Sequence, residues 1–295
     1  MSDWTIFKIL SWSESYFRSN FIDNPRLTAE ILLSFSLDLK RIELYLQHDR
    51  PLNKDELDLY KQLIKRRISR EPVAYITGEK GFYNYQFLTP HNVLIPRPDT
   101  ETLVENTIKY LKTIPSNETQ KKILELGTGS GAIIISIADL FPKHLYFAND
   151  LSQDAIQAIK SNAHKILENT EINLFQASWF DSIKKSPVFD MIISNPPYIP
   201  TLQVEILAEE IKDYEPKLAL DGGKNGLDCL NEIIINASDY LLPGGLLLLE
   251  MGYDQKENVN EIVMTCPELE NAKFEKDLAG HFRVAIIKKR LSTNK

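Results

Sequence analysis

Cysteine is scarce in this chain. Cys229 and Cys266 are its two thiols; they lie far apart and have no metal-ligand spacing around them. That argues against a disulfide framework and against a thiolate metal centre. Histidine is sparse too, with five scattered residues, so no metal site is expected. No apolar run approaches the roughly 18 residues that span a bilayer. The longest candidate, Ala132 to Leu140, is short and contains Asp139. The opening residues Met1-Ser2-Asp3-Trp4 lack the basic stretch followed by an apolar one that marks a secretory signal. A cytoplasmic location and no membrane partner are therefore expected. Basic charge is in deficit, with a net charge of -7, whereas a protein that grips a nucleic-acid backbone usually carries a basic surplus. Two local clusters, Lys65-Arg66-Arg67 with Arg70 and Lys288-Lys289-Arg290, read as a solvated helix face and a tail. Nucleic acid is not the expected partner. Internal repeats and low-complexity segments are absent as well.

What remains is an ordinary globular composition, 43% hydrophobic and 25% charged over 295 residues, enough for one large domain or two modest ones. The first seventy-odd residues carry helical spacing and no strand signal. Trp4, Phe7, Ile9-Leu10 and Phe17 mark one amphipathic stretch, Ala29 to Leu33 a second and Arg41 to Leu46 a third. A fourth runs from Lys54 to Ser69, with Asn53 as its N-cap. Next, Gly81 to Phe87 and Val93 to Ile95 flank Pro90-His91-Asn92, which predicts a strand pair joined by a turn there. A helix is expected from about Glu101 to Leu111, capped by Asp99 or Thr100. From Lys121 on, short apolar strands alternate with helices, which predicts a parallel sheet covered on both faces. The final pair, Lys273 to Glu275 and Phe282 to Ile287, is too close for a helical crossover, so one strand should run antiparallel at or near the sheet edge.

Two motifs carry chemistry. The first is Glu125-Leu126-Gly127-Thr128-Gly129-Ser130-Gly131, which joins a strand to its helix. Its glycines permit a tight turn and close backbone approach to a ligand, and the helix N-terminus behind them favours an anionic group. Asp150 closes the next strand about twenty residues on, where a carboxylate can take both hydroxyls of a ribose. A dinucleotide fingerprint would want its third glycine one residue beyond Gly131. Asp150 can equally serve as a helix N-cap, as can Ser152. Trp179 follows the third strand, where an indole can cover an adenine face or simply pack under a helix.

The second motif is Asn195-Pro196-Pro197-Tyr198, after the strand-like run Phe189 to Ser194. Asn offers a side-chain acceptor, the first Pro keeps it out of helical geometry, and the prolines leave carbonyls without competing N–H groups. Tyr adds a flat ring. Such a set can hold a planar amide or amino group by its two N–H donors, with the ring stacked on its plane. The nitrogen's lone pair then points along one direction, as in-line attack on an electrophilic methyl group requires. Asn-Pro also forms plain strand-ending turns, so that reading stands beside it.

Together these motifs resemble the class I S-adenosylmethionine-dependent methyltransferases, and more closely the bacterial release factor glutamine methyltransferases. The similarity takes in Glu71 to Gly78, Ile95-Pro96-Arg97-Pro98-Asp99-Thr100-Glu101, the glycine loop, Asn195 to Tyr198, Tyr214-Glu215-Pro216, Leu218 to Gly223, Glu250 to Tyr253 and Asp277 to Gly280. It implies an α/β, Rossmann-like fold with a seven-stranded, mostly parallel sheet. It also implies a small helical N-terminal domain for substrate recognition (residues 1–75), a β-hairpin connector (76–95) and a methyltransferase domain (96–295). It implies that Glu125, Gly127, Thr128, Gly129, Ser130, Gly131, Asp150, Trp179 and Asn195 hold S-adenosylmethionine. Asn195, Pro196, Pro197 and Tyr198 would receive the glutamine of the Gly-Gly-Gln motif in class 1 peptide chain release factors. Many relatives carry Asp at positions 125 and 178, where this chain has Glu125 and Ser178. Rival expectations are a ribosomal-protein glutamine methyltransferase, an N6-adenine nucleic-acid methyltransferase and a catalytically silent binding module.

Overall fold

The computed structural model describes residues 4–115 and 120–291, so Met1-Ser2-Asp3 lie outside the described residues. The chain forms two compact units, one from residues up to Glu79 together with Glu209–Tyr214, the other from Lys80–Ala208 together with Glu215 onward.

The first unit is helical: α1 (Ile6–Ser19), α2 (Pro25–Leu37), α3 (Arg41–Leu46), α4 (Lys54–Ile68) and α5 (Val73–Thr77). All four amphipathic stretches form helices. In α1 the buried stripe is Ile6, Ile9, Leu10, Ser13 and Phe17, the spacing of one helical face. Trp4 precedes that helix and Phe7 falls about 100° off its stripe, so both are exposed. Asn53 caps α4 reciprocally: its Oδ1 accepts from the Glu56 N–H, and Glu56 accepts from the Asn53 N–H, each at 2.9 Å. The basic cluster at the end of α4 is not a solvated face. Arg66 pairs with Glu71, Arg67 is buried against Glu210, and Arg70 reaches Glu209. These acidic partners lie beyond the helix itself, which is why helical spacing alone did not reveal them.

After α5, β1 (Glu79–Phe82) and β2 (Tyr85–Leu88) form a two-stranded sheet. The turn is Tyr83-Asn84, with Tyr83 at φ 52°; Val93 to Ile95 is not a strand, which corrects the expected pairing. Buried Asn162 explains what β2 does instead of pairing onward. Its amide bonds both the N–H and the carbonyl of Leu88, and also the carbonyl of Ser130. The expected cap of the next helix is also corrected. A 3₁₀ turn, Pro98–Thr100, runs straight into α6 (Glu101–Lys112), so neither Asp99 nor Thr100 caps it by side chain.

The main sheet follows. Its elements are β3 (Lys122–Leu126), α7 (Ala132–Leu140), β4 (Leu145–Asp150), α8 (Gln153–Ile166), β5 (Ile172–Gln176) and β6 (Phe189–Ser194). Then come α9 (Thr201–Val204), the turn α10 (Glu209–Lys212) that belongs to the first unit, α11 (Asp228–Ala237), β7 (Leu241–Glu250), α12 (Lys256–Met264), β8 (Lys273–Lys276) and β9 (Phe282–Lys288). The strand order is β5-β4-β3-β6-β7-β9-β8. All neighbours are parallel except β7 with β9 and β8 with β9. Strand β9 thus runs against the rest, next to the edge, as the short connection required. Side chains alternate between the two faces: Ile123, Ile193 and Leu248 pack with α6 and α7, while Leu124, Ile192 and Leu247 pack with α11 and α12. β7 starts at Leu241, and a register shift absorbs Pro243 and the following glycines. Lys289, read as part of a tail, donates to the carbonyls of Ser238 and Leu241. Among the described residues, no helix is long and apolar enough to cross a membrane.

The order reverses at β3. Leu126, its last residue, is level with Asn149 on one side and Ser194 on the other. Ligands bind at such switch points, beyond the carboxyl ends of the strands.

Candidate active site

The chain turns at Gly127, Gly129 and Gly131, all at positive φ, a region that costs other residues about 1–2 kcal/mol. The three glycines do different work. A Cβ on Gly127 would sit 3.2 Å from the Trp179 indole, so the ring lies close over the loop. A Cβ on Gly131 would meet Ile159 at 2.5 Å and Ile135 at 2.8 Å. Gly131 therefore lets α7 pack against α8, and it does not line the cavity beyond the loop. Asp150, at the end of β4, accepts from the Gly129 and Ser152 N–H groups, each at 2.8 Å. Each carboxylate oxygen keeps a lone pair for a ligand. The N-cap of α8 is Ser152, which accepts from Ala155 N–H.

These elements enclose a cavity of about 350 Å³, within the range of about 300–1,000 Å³ that small-molecule and cofactor sites occupy. Glu125, Gly127, Thr128, Gly129, Ser130, Asp150, Trp179, Asn195 and Pro197 line it; Gly131, Pro196 and Tyr198 do not. Asn195 Nδ2 donates to Thr100 Oγ1 at 3.1 Å. That bond fixes the amide orientation and leaves Oδ1 as the free acceptor. Tyr198 stands apart: its ring packs on the α11 and α12 side, and its hydroxyl donates to Glu250 Oε1 at 3.0 Å.

The backing of this loop lies in residues 220–226. Ile199 N–H donates to the Leu220 carbonyl and Gly222 N–H to the Ile199 carbonyl. A Cβ on Gly222 would stand 2.7 Å from the Pro197 carbonyl oxygen. On the other wall, Arg97 and Ile95 N–H both bond Glu215. Arg97, Thr100, Leu218 and Asp221 are liners that the chemistry of the two motifs did not reveal. They lie in the segments that carried the resemblance, Ile95 to Glu101 and Leu218 to Gly223.

Glu125 is buried under the glycine loop. It accepts from the Thr128 hydroxyl at 2.7 Å and from Ile134 N–H at 3.3 Å. Burial pushes its carboxyl up to about 8, with Asp150 adding to the rise and the two donors opposing it. Burial raises Asp150 as well. For Glu125 the unfolded value is 4.5, so between that pH and about 8 the folded chain holds a proton the unfolded chain has lost. The stabilisation is complete below pH 4.5 and is lost as pH rises through about 8. Melting temperatures of the ligand-free protein should therefore fall with rising pH across this window. Glu125→Gln should fall less steeply, and equal slopes would remove Glu125 as a cause. Cys229 also lines the cavity, but burial raises its thiol to about 11, so it is not a thiolate at neutral pH.

Two family models match this chain: "PrmC N-terminal domain" over residues 8–78 and "Methyltransferase small domain" over residues 105–224. Among solved structures, the hMettl16 catalytic domain aligns with a TM-score of 0.54 at 13% identity, covering 70% of this chain and 76% of that one. A T. thermophilus 16S rRNA methyltransferase, solved with AdoMet and guanosine, aligns at 0.51 and 15% identity, covering 72% and 50%. These likenesses establish the fold, a class I methyltransferase sheet. Curated relatives are nearer. The release factor glutamine methyltransferase of Geobacter sulfurreducens is 40% identical, covering 87% of each chain. Those of Leptospira interrogans and Rhodopirellula baltica are 38% and 33% identical, covering 96% and 97% of this chain and 98% and 97% of theirs. With a helical unit ahead of the sheet, and with likeness running the length of both partners, the chain belongs to the release factor glutamine methyltransferase family.

Proposed function

We propose that this enzyme transfers a methyl group from S-adenosylmethionine to the side-chain amide nitrogen of a glutamine in class 1 peptide chain release factors, within their Gly-Gly-Gln motif. One observation carries the reading. Asn195 lines the same cavity as the glycine loop and Asp150, with its NH₂ donating to Thr100 and its Oδ1 without a hydrogen-bond partner among the described residues.

The lining suits the cofactor. Asp150 would take the ribose hydroxyls, Glu125 the methionine ammonium, and Trp179 with Leu151 and Ala177 would supply apolar wall for the adenine. Two buried carboxyls with raised pKa values suit a ligand that brings donors and a positive charge. When bound, S-adenosylmethionine supplies a methyl group on a positively charged sulfur, already a strong electrophile. The chain's own task is the nucleophile, because an amide lone pair is delocalised into its carbonyl. Asn195 Oδ1 accepts an N–H bond from the substrate amide and draws its nitrogen towards tetrahedral geometry, whereas Pro196, whose carbonyl would be the second acceptor, does not line the cavity. Pro197 completes the wall, and Tyr198 anchors the loop through Glu250. Most of the rate then comes from positioning and preorganised dipoles. The methylated amide is strongly acidic and loses its proton to water or a nearby acceptor.

Asp150→Ala should weaken S-adenosylmethionine binding by about a hundredfold, as expected for lost hydrogen bonds to a charged group. Calorimetry checks this, and unchanged affinity would sink the assignment. The function itself is tested by incubating the enzyme with methyl-labelled S-adenosylmethionine and, separately, a release factor, ribosomal protein or DNA. Label should enter the release factor, at the glutamine of Gly-Gly-Gln. Label in DNA or ribosomal protein alone would overturn the reading.

A further inference from the structure

Asn149 stands next to last in β4, level with Leu126 of β3 and Phe175 of β5. It is fully buried and does not itself line the cavity. Two of its bonds reach residues that do. Its backbone carbonyl accepts from Thr128 N–H, in the glycine loop, at 2.9 Å. Its side-chain Nδ2 donates to the backbone carbonyl of Trp179. A carbonyl only accepts, so the NH₂ must face Trp179 and Oδ1 must point away. Oδ1 then has no hydrogen-bond partner among the described residues. An apolar side chain of similar size would avoid that penalty. The amide is explained by what it holds, not by how it packs.

What it holds is an unfavourable turn. Ala177 N–H is tied to the Asp150 carbonyl at 3.1 Å, and Phe180 is buried with its ring stacked on Tyr240 at 4.3 Å. The two residues between these anchors have little slack, and Trp179 takes φ 36°. A residue with a Cβ resists that region, at a cost comparable to one hydrogen bond. The resulting indole lies close over the glycine loop, 3.2 Å from where a Cβ on Gly127 would sit. Without the Asn149 bond, Trp179 is free to relax to negative φ, and its ring leaves the loop.

We propose that Asn149 is a positioning residue for cofactor binding: its side-chain amide holds the Trp179 carbonyl and so fixes the indole, as the adenine wall, against the glycine loop. This rests on the reading of Trp179 given above. Because the Asn149 carbonyl also anchors Thr128, one residue sets both the loop and the ring. A side-chain substitution leaves the backbone bond to Thr128 in place, so it releases the ring alone.

The test uses the full chain carrying Trp4→Phe and Trp12→Phe, both in the helical unit, so that Trp179 is the sole tryptophan emitter. In the ligand-free protein, Asn149→Leu should shift Trp179 emission to the red and make it easier to quench with acrylamide. S-adenosylmethionine affinity, measured by calorimetry, should fall about tenfold in Asn149→Leu, the effect of one hydrogen bond. It should fall about ten- to a hundredfold in Trp179→Ala, the effect of a lost stacking ring. In Asn149→Leu the KM for S-adenosylmethionine rises to match, while kcat with a release factor and the melting temperature stay near parental values. Asn149 also adjoins Asp150, and a double variant separates the two routes. Asn149→Leu added to Trp179→Ala costs nothing further if it acts through the ring, and its full loss again if it acts through Asp150. Parental affinity or unchanged emission in Asn149→Leu, or an additive double variant, overturns the proposal. If Asn149→Leu folds poorly, Asn149→Val, a smaller strand former, is judged by the same measurements. Parental affinity in Trp179→Ala would instead overturn the adenine reading of Trp179 itself.

Discussion

Asn195→Ala is expected to lower kcat by roughly 10²–10³, the cost of removing one preorganised hydrogen-bonding group from a reacting centre. The reason lies in when the bond is strongest. As the substrate amide attacks, positive charge builds on its nitrogen and its N–H groups become better donors. An acceptor aimed at them stabilises the transition state more than the bound substrate, so kcat falls more than KM rises. The folded state has less at stake. Asn195 is half-buried and among the described residues makes one side-chain hydrogen bond, to Thr100, so its loss costs about 1 kcal/mol. Affinity for S-adenosylmethionine should change little, because Asp150 and the glycine loop are untouched. A turnover assay with a release factor, paired with calorimetry on the cofactor, separates these effects. Near-normal kcat would remove Asn195 from its role. A parallel loss of kcat and affinity would make it a cofactor residue.

The legible parts of the site are those whose chemistry is local. Gly127 to Gly131 announce a tight turn because other residues resist positive φ there, and three of the residues in that loop's register do sit at positive φ. Asp150 could be placed because β4 follows β3 through a single helix, and parallel neighbours put their carboxyl ends side by side. The antiparallel β9 followed from a connection too short for a helix. What stayed hidden depends on residues far apart in sequence. Val93 to Ile95 has the apolar texture of a strand, yet Ile95 N–H bonds Glu215, 120 positions away, and not a neighbouring strand. Thr100 has the residue type of a helix cap, but the 3₁₀ turn at Pro98 removes the need for one and frees its hydroxyl for Asn195. Tyr198 reads as a ring for stacking on a substrate. Its hydroxyl is drawn away by Glu250, a residue on a strand whose pattern showed only apolar burial. No periodicity encodes such pairings. They come from strand order, which fixes what each loop finds beside it.

The last residue of the loop-backing segment makes a sharper case, and Gly226→Ala is expected to be strongly damaging although Gly226 does not line the cavity. Gly226 has φ 72°, and a Cβ there would lie 2.3 Å from the Tyr198 carbonyl oxygen and 2.8 Å from Gln255 Nε2. The same Gln255 amide donates to the carbonyls of Tyr198 and Gly226, at 2.9 and 3.0 Å, and its Oε1 accepts from Gly252 N–H at 2.9 Å. The methyl group therefore cannot enter unless the Tyr198 carbonyl moves and loosens this clamp. Left-handed backbone costs an alanine about 1–2 kcal/mol, and overpacking adds about 1–3 kcal/mol. A destabilisation of about 2–5 kcal/mol follows from these two terms, read as a shifted denaturation midpoint. Gly78→Ala serves as the control, since Gly78 has φ 77° with nothing within 4 Å of the added carbon. It should show the backbone cost alone. The excess in Gly226→Ala then measures the clash. Function should follow the displacement, because Tyr198 is three residues from Asn195, and a shift of about 1 Å at a reacting centre can cost a hundredfold. The folded fraction of Gly226→Ala should thus bind S-adenosylmethionine normally while its kcat falls by about that factor. If the two alanine variants were equally stable and equally active, the close approach of Gly226 to Tyr198 would have no bearing on how the Asn-Pro-Pro-Tyr loop is held.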